Sequence, residues 1–198
     1  MARISLTDLV DIVSKAGGPK ATKVAQVKNR DDYLPGADFY KQFRDGVVAI
    51  HKAGGPRTDL SKILKAVVEK VRLANYPAVI DGYKKWWGKK VITWFQPPSE
   101  LFSRDGIDVS VNPELGLVIN DEKYLIKLYL KSDKLSKSRA DLITGLMEEV
   151  LGPKSPNTKM CVLDVRNSKL FVGSGHGAGF LPMVEAELAY IAKLWPAV

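Results

Sequence analysis

Apolar residues recur along the first ninety positions at helical spacing. Leu6, Leu9, Val10 and Val13 fall at i, i+3, i+4 and i+7, which places them on one helical face. Ser5 with Asp8 three residues later has the form of a capping box. Gly17-Gly18 stops that helix, and Pro19 opens a second, weaker one through Val24 and Val27 to about Asn29. Residues 31–37 read as a loop around Leu34-Pro35-Gly36. A third helix is expected from Asp38 to about Lys52, with Tyr40, Phe43, Val47 and Ile50 on its buried side. Thr58 or Asp59 caps a fourth, whose face is Leu60, Ile63, Leu64, Val67, Val68 and Val71. Pro77 opens a short fifth through Ile80, Tyr83, Trp86 and Trp87.

The period changes after Gly88. Val91–Phe95 is β-branched and aromatic and ends at Gln96-Pro97-Pro98, so it reads as a strand. Residues 99–106 read as a loop. Strands follow at about 107–111, 116–120 and 124–131, with turns at Asn112-Pro113-Glu114 and Asn120-Asp121-Glu122. In the last of these, Tyr124, Ile126, Leu128 and Leu130 alternate with Leu125, Lys127, Tyr129 and Lys131. A helix is expected from about Lys137 to Leu151, then a hairpin of 160–166 and 169–172 about Asn167-Ser168. A Gly-rich loop leads to a last helix over about 182–194. The order gives an α+β fold: a helical region over 1–90 packed with a mostly antiparallel sheet of five to six strands and two helices over 91–198. No Ser/Gly linker divides the two parts, which favours one continuous unit.

Charge adds an asymmetry to this picture. The 198 residues hold 30 Lys+Arg against 22 Asp+Glu, a net +8. Residues 1–100 carry 18 basic and 10 acidic side chains, and residues 101–198 carry 12 of each. The excess is concentrated at 15–30, where no acid stands between Ile12 and Arg30, and at 84–90 around Trp86-Trp87. Ammonium groups neutralise phosphates and indoles stack on bases, so this half points to nucleic acid or another polyanion. The candidate contacts are Lys20, Lys23, Lys28, Lys84, Lys85, Trp86, Lys89 and Lys90, with Lys127, Tyr129 and Lys131 as a basic-aromatic sheet face. Solvated lysines are also an ordinary surface, and net charge bears on nonspecific binding only.

Other motifs are weaker. Lys15-Ala16-Gly17-Gly18-Pro19-Lys20 recurs as Lys52-Ala53-Gly54-Gly55-Pro56-Arg57, which punctuation alone explains: Gly stops a helix and Pro starts one. Gly173, Gly175 and Gly177 form a loop whose backbone N–H groups suit an anion. It lacks the following βαβ unit and acid of a dinucleotide site and the Lys-Ser/Thr of a P-loop. Ser174 and His176 lack a nucleophile elbow. The two histidines lie apart from each other and from Cys161, so no zinc site and no other cofactor is expected. His51 falls late in its helix, where a positive charge would complement the dipole. Cys161 alternates with Leu163 and Val165 as a small core hydrophobe. One cysteine, no long apolar run and an acid-bearing N-terminus point to a cytoplasmic chain without membrane contact.

Pro113-Glu114 followed by Asp121-Glu122-Lys123 spells P-E…D-x-K, and the order of strands, helix and strand after residue 107 is loosely similar to the core of restriction-endonuclease-like nucleases. The resemblance implies carboxylates that hold Mg²⁺ and a lysine that assists the attacking water. An extended strand between Glu114 and Asp121 would hold their carboxylates ~20 Å apart, so the literal motif does not close. A second set is Asp108, Asp164 and Lys127, all on strands. The readings carried forward are a non-enzymatic nucleic-acid or polyanion binder, a Mg²⁺-dependent nuclease-like or phosphate-handling enzyme, and an interaction or scaffold protein using the Trp-rich segment. Self-association is left open.

Overall fold

The computed structural model describes residues 2–30, 39–175 and 177–198. The loop expected at 31–37, the start of the third helix at Asp38, and His176 lie outside the described residues.

The fold is α+β. Strand β1 (Ala2–Ser5) runs straight into helix α1 (Leu6–Val13), followed by α2 (Gly17–Lys28), α3 (Lys41–Lys52), α4 (Leu60–Lys65) and α5 (Lys70–Trp87). Strands β2 (Ile92–Phe95), β3 (Glu100–Arg104), β4 (Ile107–Val111), β5 (Leu115–Ile119) and β6 (Glu122–Tyr129) come next. Helix α6 (Lys137–Leu151), strands β7 (Thr158–Asp164) and β8 (Lys169–Val172) and helix α7 (Leu181–Leu194) complete the chain. The strands form two sheets, β1-β4-β3 and β2-β5-β6-β7-β8. Pairing is antiparallel except for β1–β4 and β6–β7. Helix α6 makes the crossover that a parallel pair requires.

The eight strands among the described residues exceed the five to six expected, because β1 and β3 lie outside that expectation. Strand β3 lies where a loop was expected, and it pairs with β4 across Asp105-Gly106, both at positive φ (50° and 78°). That is the backbone of a two-residue hairpin turn, repeated at Asn120-Asp121 (52° and 66°) between β5 and β6. The fourth helix also ends early. The structure breaks at Ala66 and restarts at Lys70, so Val67 stays buried while Val68 and Val71 are exposed. Two adjacent β-branched residues are poor helix formers, and the break lets the two helices aim their apolar faces separately. Pro77 consequently lies inside α5 rather than at its start.

Two apolar clusters cover opposite faces of the large sheet. One joins α3, α4 and α5 to Leu115, Leu117, Ile126, Leu128, Cys161 and Leu163. The other joins α1, α2, α6, α7 and the small sheet to Leu125, Tyr129, Met160 and Val162. Strands β6 and β7 are buried on both faces over Leu125–Tyr129 and Met160–Asp164. No helix among the described residues is long and apolar enough to cross a membrane.

Candidate functional site

Strand register builds the site. Leu115 pairs with Ile126, so the residue before β5, Glu114, stands beside Lys127 on β6. Lys127 shares its face with Leu125 and Tyr129, under α6 and the small sheet, and is buried. Its ammonium donates to Glu114 Oε1 at 2.7 Å, to the Asn112 carbonyl at 3.0 Å and to Asn112 Oδ1 at 3.3 Å. The second Glu114 oxygen accepts the Leu128 N–H at 2.8 Å. The buried ammonium thus has three acceptors and the carboxylate two donors, which is what a charge pair withdrawn from water requires. The pair sits at the amino end of β5, towards the carboxyl end of β6.

The other carboxylates proposed with Lys127 have separate partners. Asp108, on the small sheet, accepts from Ser103 Oγ at 2.6 Å. Asp164, at the end of β7, accepts the Leu135 N–H at 3.0 Å and the Asn167 side chain at 2.9–3.0 Å. It fastens the β6–α6 loop to the turn after β7. Asp121 lies in the tight β5–β6 turn, at the far end of β5 from Glu114. Two positions before Lys127 stands Leu125, fully buried among apolar neighbours. No cluster of three His, Cys, Asp or Glu side chains exists among the described residues.

The basic stretch 15–30 is largely spent on packing. Lys20 pairs with Glu187 of α7 and lies 4.9 Å from the Tyr190 ring. Lys23 and Lys131 share Asp11 of α1. Lys28 donates to the Val198 carbonyl, and Arg30 binds Asp8 at 2.6 Å. Burial pushes the Asp8 carboxyl up, but the hydrogen bonds from Arg30 and Ser5 outweigh it and hold the group below its usual value. Acids distant in sequence therefore supply the counter-charges that the local run lacks.

The segment 84–90 divides in two. Trp86 and Trp87 are buried, and Trp86 packs against Tyr83 at 5.2 Å. These rings are core, which corrects the expectation of Trp86 as an exposed stacking platform and removes the Trp segment as a free partner surface. Tyr129 and Lys127 are buried too, so the expected basic-aromatic sheet face is covered by helices. Lys90 turns back onto the Trp86 carbonyl and lies over its ring, and desolvation lowers its pKa. Lys84, Lys85 and Lys89 remain exposed with no partner among the described residues. They ring the end of α5, one turn beyond the exposed Asp81.

The Gly-rich loop already holds an anion of its own chain. The Gly175 N–H donates to Glu148 Oε1 of α6 at 2.9 Å, and a Cβ on Gly173 would meet that oxygen at 2.0 Å. Gly177 opens a short 3-10 turn, Gly177–Phe180. The loop's glycines thus admit Glu148 where an external anion was expected. His51 is buried, bonded to the Tyr83 hydroxyl at 2.7 Å and stacked 4.3 Å from Trp87. Burial lowers its pKa to about 4, so it is neutral near pH 7 and does not supply the charge expected at the end of α3. Burial pushes the Cys161 thiol up to about 12, as befits a core residue.

A groove of about 610 Å³ lies apart from these groups, between α3 and α4, with Gly46, Ala49, Ile63 and Ala66 among its lining residues. Comparison with protein-family models, with curated proteins and with solved structures finds no match.

Proposed function

We propose that this protein binds nucleic acid without cleaving it, on a scaffold analogous to the restriction-endonuclease-like core. The observation that carries the binding is the exposed trio Lys84, Lys85 and Lys89, without partners among the described residues; the scaffold analogy rests on the register that sets Glu114 beside Lys127 at one end of the sheet β2-β5-β6-β7-β8. In that sheet β2, β5 and β6 are antiparallel and α6 leads to the parallel β7; β4, expected beside them, lies instead in the small sheet. The Pro-Glu of the motif stands before β5. The lysine that answers it is Lys127, not Lys123. The analogy is one of fold and carries less weight than the residues themselves.

Those residues favour binding over hydrolysis. Metal-assisted hydrolysis needs converging carboxylates with free oxygens for the cation. Leu125 occupies the acidic position of D/E-x-K, and both Glu114 oxygens already accept protein donors. Lys84, Lys85 and Lys89 supply uncommitted cations for a phosphate backbone.

A salt-titrated binding panel of duplex DNA, single-stranded DNA and RNA, run with and without Mg²⁺ and examined for cleavage, tests the proposal. Binding that weakens with salt while the nucleic acid stays intact is the expected result. Replacing Lys84, Lys85 and Lys89 together by alanine should lower the log–log salt slope on duplex DNA by up to about 2.7, or 0.9 per lost phosphate contact. No binding at low salt overturns the proposal. Mg²⁺-dependent cleavage that disappears in Glu114→Gln would replace it with the nuclease reading.

A further inference from the structure

Tyr129 is 4% exposed, and its hydroxyl has no hydrogen-bond partner. A buried polar atom left in that state is costly and calls for an explanation. Tyr129 stands in register with Asp164, whose carboxylate holds the Leu135 N–H just before α6, and Arg139 of that helix lies beside its hydroxyl. This corner is the carboxyl end of the parallel pair β6–β7. Helix α6, 15 residues long, begins there with no acid in its first turn. Its amino end offers free N–H groups and a partial positive charge.

The sequence of this corner, residues 131–139, is Lys-Ser-Asp-Lys-Leu-Ser-Lys-Ser-Arg. Ser136 Oγ accepts the Arg139 N–H at 3.3 Å, which leaves the N–H groups of Lys137 and Ser138 without an acceptor. The Ser138 hydroxyl lies 3.1 Å from that of Ser136. Arg139 donates its Nε to Ser14 Oγ at 2.7 Å, and its guanidinium stands beside the Tyr129 hydroxyl. Lys134 is exposed and unpaired among the described residues. Lys23, Lys131, Lys134 and Arg139 stand here against three carboxylates, Asp11, Asp133 and Asp164; Asp11 holds Lys23 and Lys131, and Asp164 holds the Leu135 N–H.

We propose that the amino end of α6 is a phosphoryl-group site, in which the Tyr129 hydroxyl, the Arg139 guanidinium, the Ser138 hydroxyl and the N–H groups of Lys137 and Ser138 donate to phosphate oxygens. It deepens the nucleic-acid reading and rests on that reading only for the source of the phosphoryl group, a backbone phosphodiester or free phosphate. The test is an amide NMR titration with inorganic phosphate, against chloride at matched ionic strength, and in parallel with a short oligonucleotide. Saturable shifts at Lys137, Ser138 and Arg139 are expected with at least one of the two. Tyr129→Phe should weaken that binding about tenfold or more, the worth of a hydrogen bond to a charged group. Its thermal midpoint without phosphate should not fall, whereas a purely structural hydroxyl would lower it on removal. Shifts with the oligonucleotide alone support the site and assign it to a phosphodiester. Shifts with phosphate alone also support it; where the oligonucleotide then binds nowhere, the nucleic-acid reading fails and the site stands. Oligonucleotide binding that shifts amides only elsewhere, with no response to phosphate, overturns the site and leaves that reading intact. An unchanged affinity in Tyr129→Phe overturns it as well.

Discussion

His51 shows how much one buried side chain ties to pH. Its Nε2 shares a 2.7 Å hydrogen bond with the Tyr83 hydroxyl, which burial keeps protonated. The folded ring resists protonation down to about pH 4, while the unfolded one takes a proton near 6.5. Unfolding therefore gains a proton between those values. Stability is whole above pH 6.5 and drains as pH falls toward 4, by about 3 kcal/mol in total. Denaturation at pH 7 and pH 4.5 of the protein and of His51→Gln, which retains an acceptor for Tyr83, checks this. The native protein should lose most of that amount relative to the variant; an equal loss in both would show that His51 does not couple. The Asp8 carboxyl, also held below its ordinary value, loses its contribution only at lower pH, and it does so in both proteins.

At the scale of elements, α5 is placed by a residue without a side chain. A Cβ on Gly82 would stand 2.0 Å from the Val165 carbonyl oxygen, and Ser168 Oγ donates to the Gly82 carbonyl at 2.9 Å. The helix backbone thus lies directly on the turn after β7. Alanine would raise helix propensity by about 1 kcal/mol, yet it must push two backbones apart, so Gly82→Ala should destabilise by about 1–3 kcal/mol net. A Cβ on Gly145 of α6 would meet first the Phe180 side chain, at 3.0 Å, rather than backbone. Urea midpoints of the two alanine variants separate the cases; equal midpoints would mean that α5 is free to shift. Neither contact is legible in sequence, although the elements themselves mostly are. The helix expected over Lys137–Leu151 and the strand at 107–111 stand where periodicity puts them, because each buries one face against a near neighbour in the fold. Strand β1 escapes because its partner, β4, lies about a hundred residues away. Strand β3 was legible in principle: Asp105-Gly106 between two apolar runs is a strong hairpin signal. At the candidate site, Lys127 and Glu114 each stand out in sequence, but only strand register pairs them. The letters point instead to Lys123. The basic run 15–30 misleads for the same reason, since Asp11 and Glu187 reach it from α1 and α7.

Over the whole molecule, protection should follow the layering. Strands β6 and β7 have an apolar cluster against each face, and hydrogen-bonded neighbours on both sides. Their amides cannot reach water unless a helical layer lifts and the sheet parts. The small sheet is built differently. Its edge strand β3 buries only Phe102 and presents Leu101 to solvent, and among the described residues no strand pairs beyond it. Local opening of β3 exposes one aromatic ring, whereas opening of β6 exposes the centre of both clusters. Hydrogen exchange at neutral pH should therefore place the β6 and β7 amides at the slow limit, reporting the global free energy, roughly 5–15 kcal/mol for folded proteins. The β3 amides on the hairpin with β4 should exchange through a smaller opening and respond weakly to urea. That ordering also separates two pictures of the charge network. The Arg104–Glu185 pair at 2.9 Å and the bond from Lys154 to Glu100 at 2.5 Å both anchor β3 from its exposed side. Exposed pairs of this kind contribute little each. If β3 exchanged as slowly as β6, with the same urea slope, these pairs and the strands would open as one cooperative unit, and the layered account would be wrong.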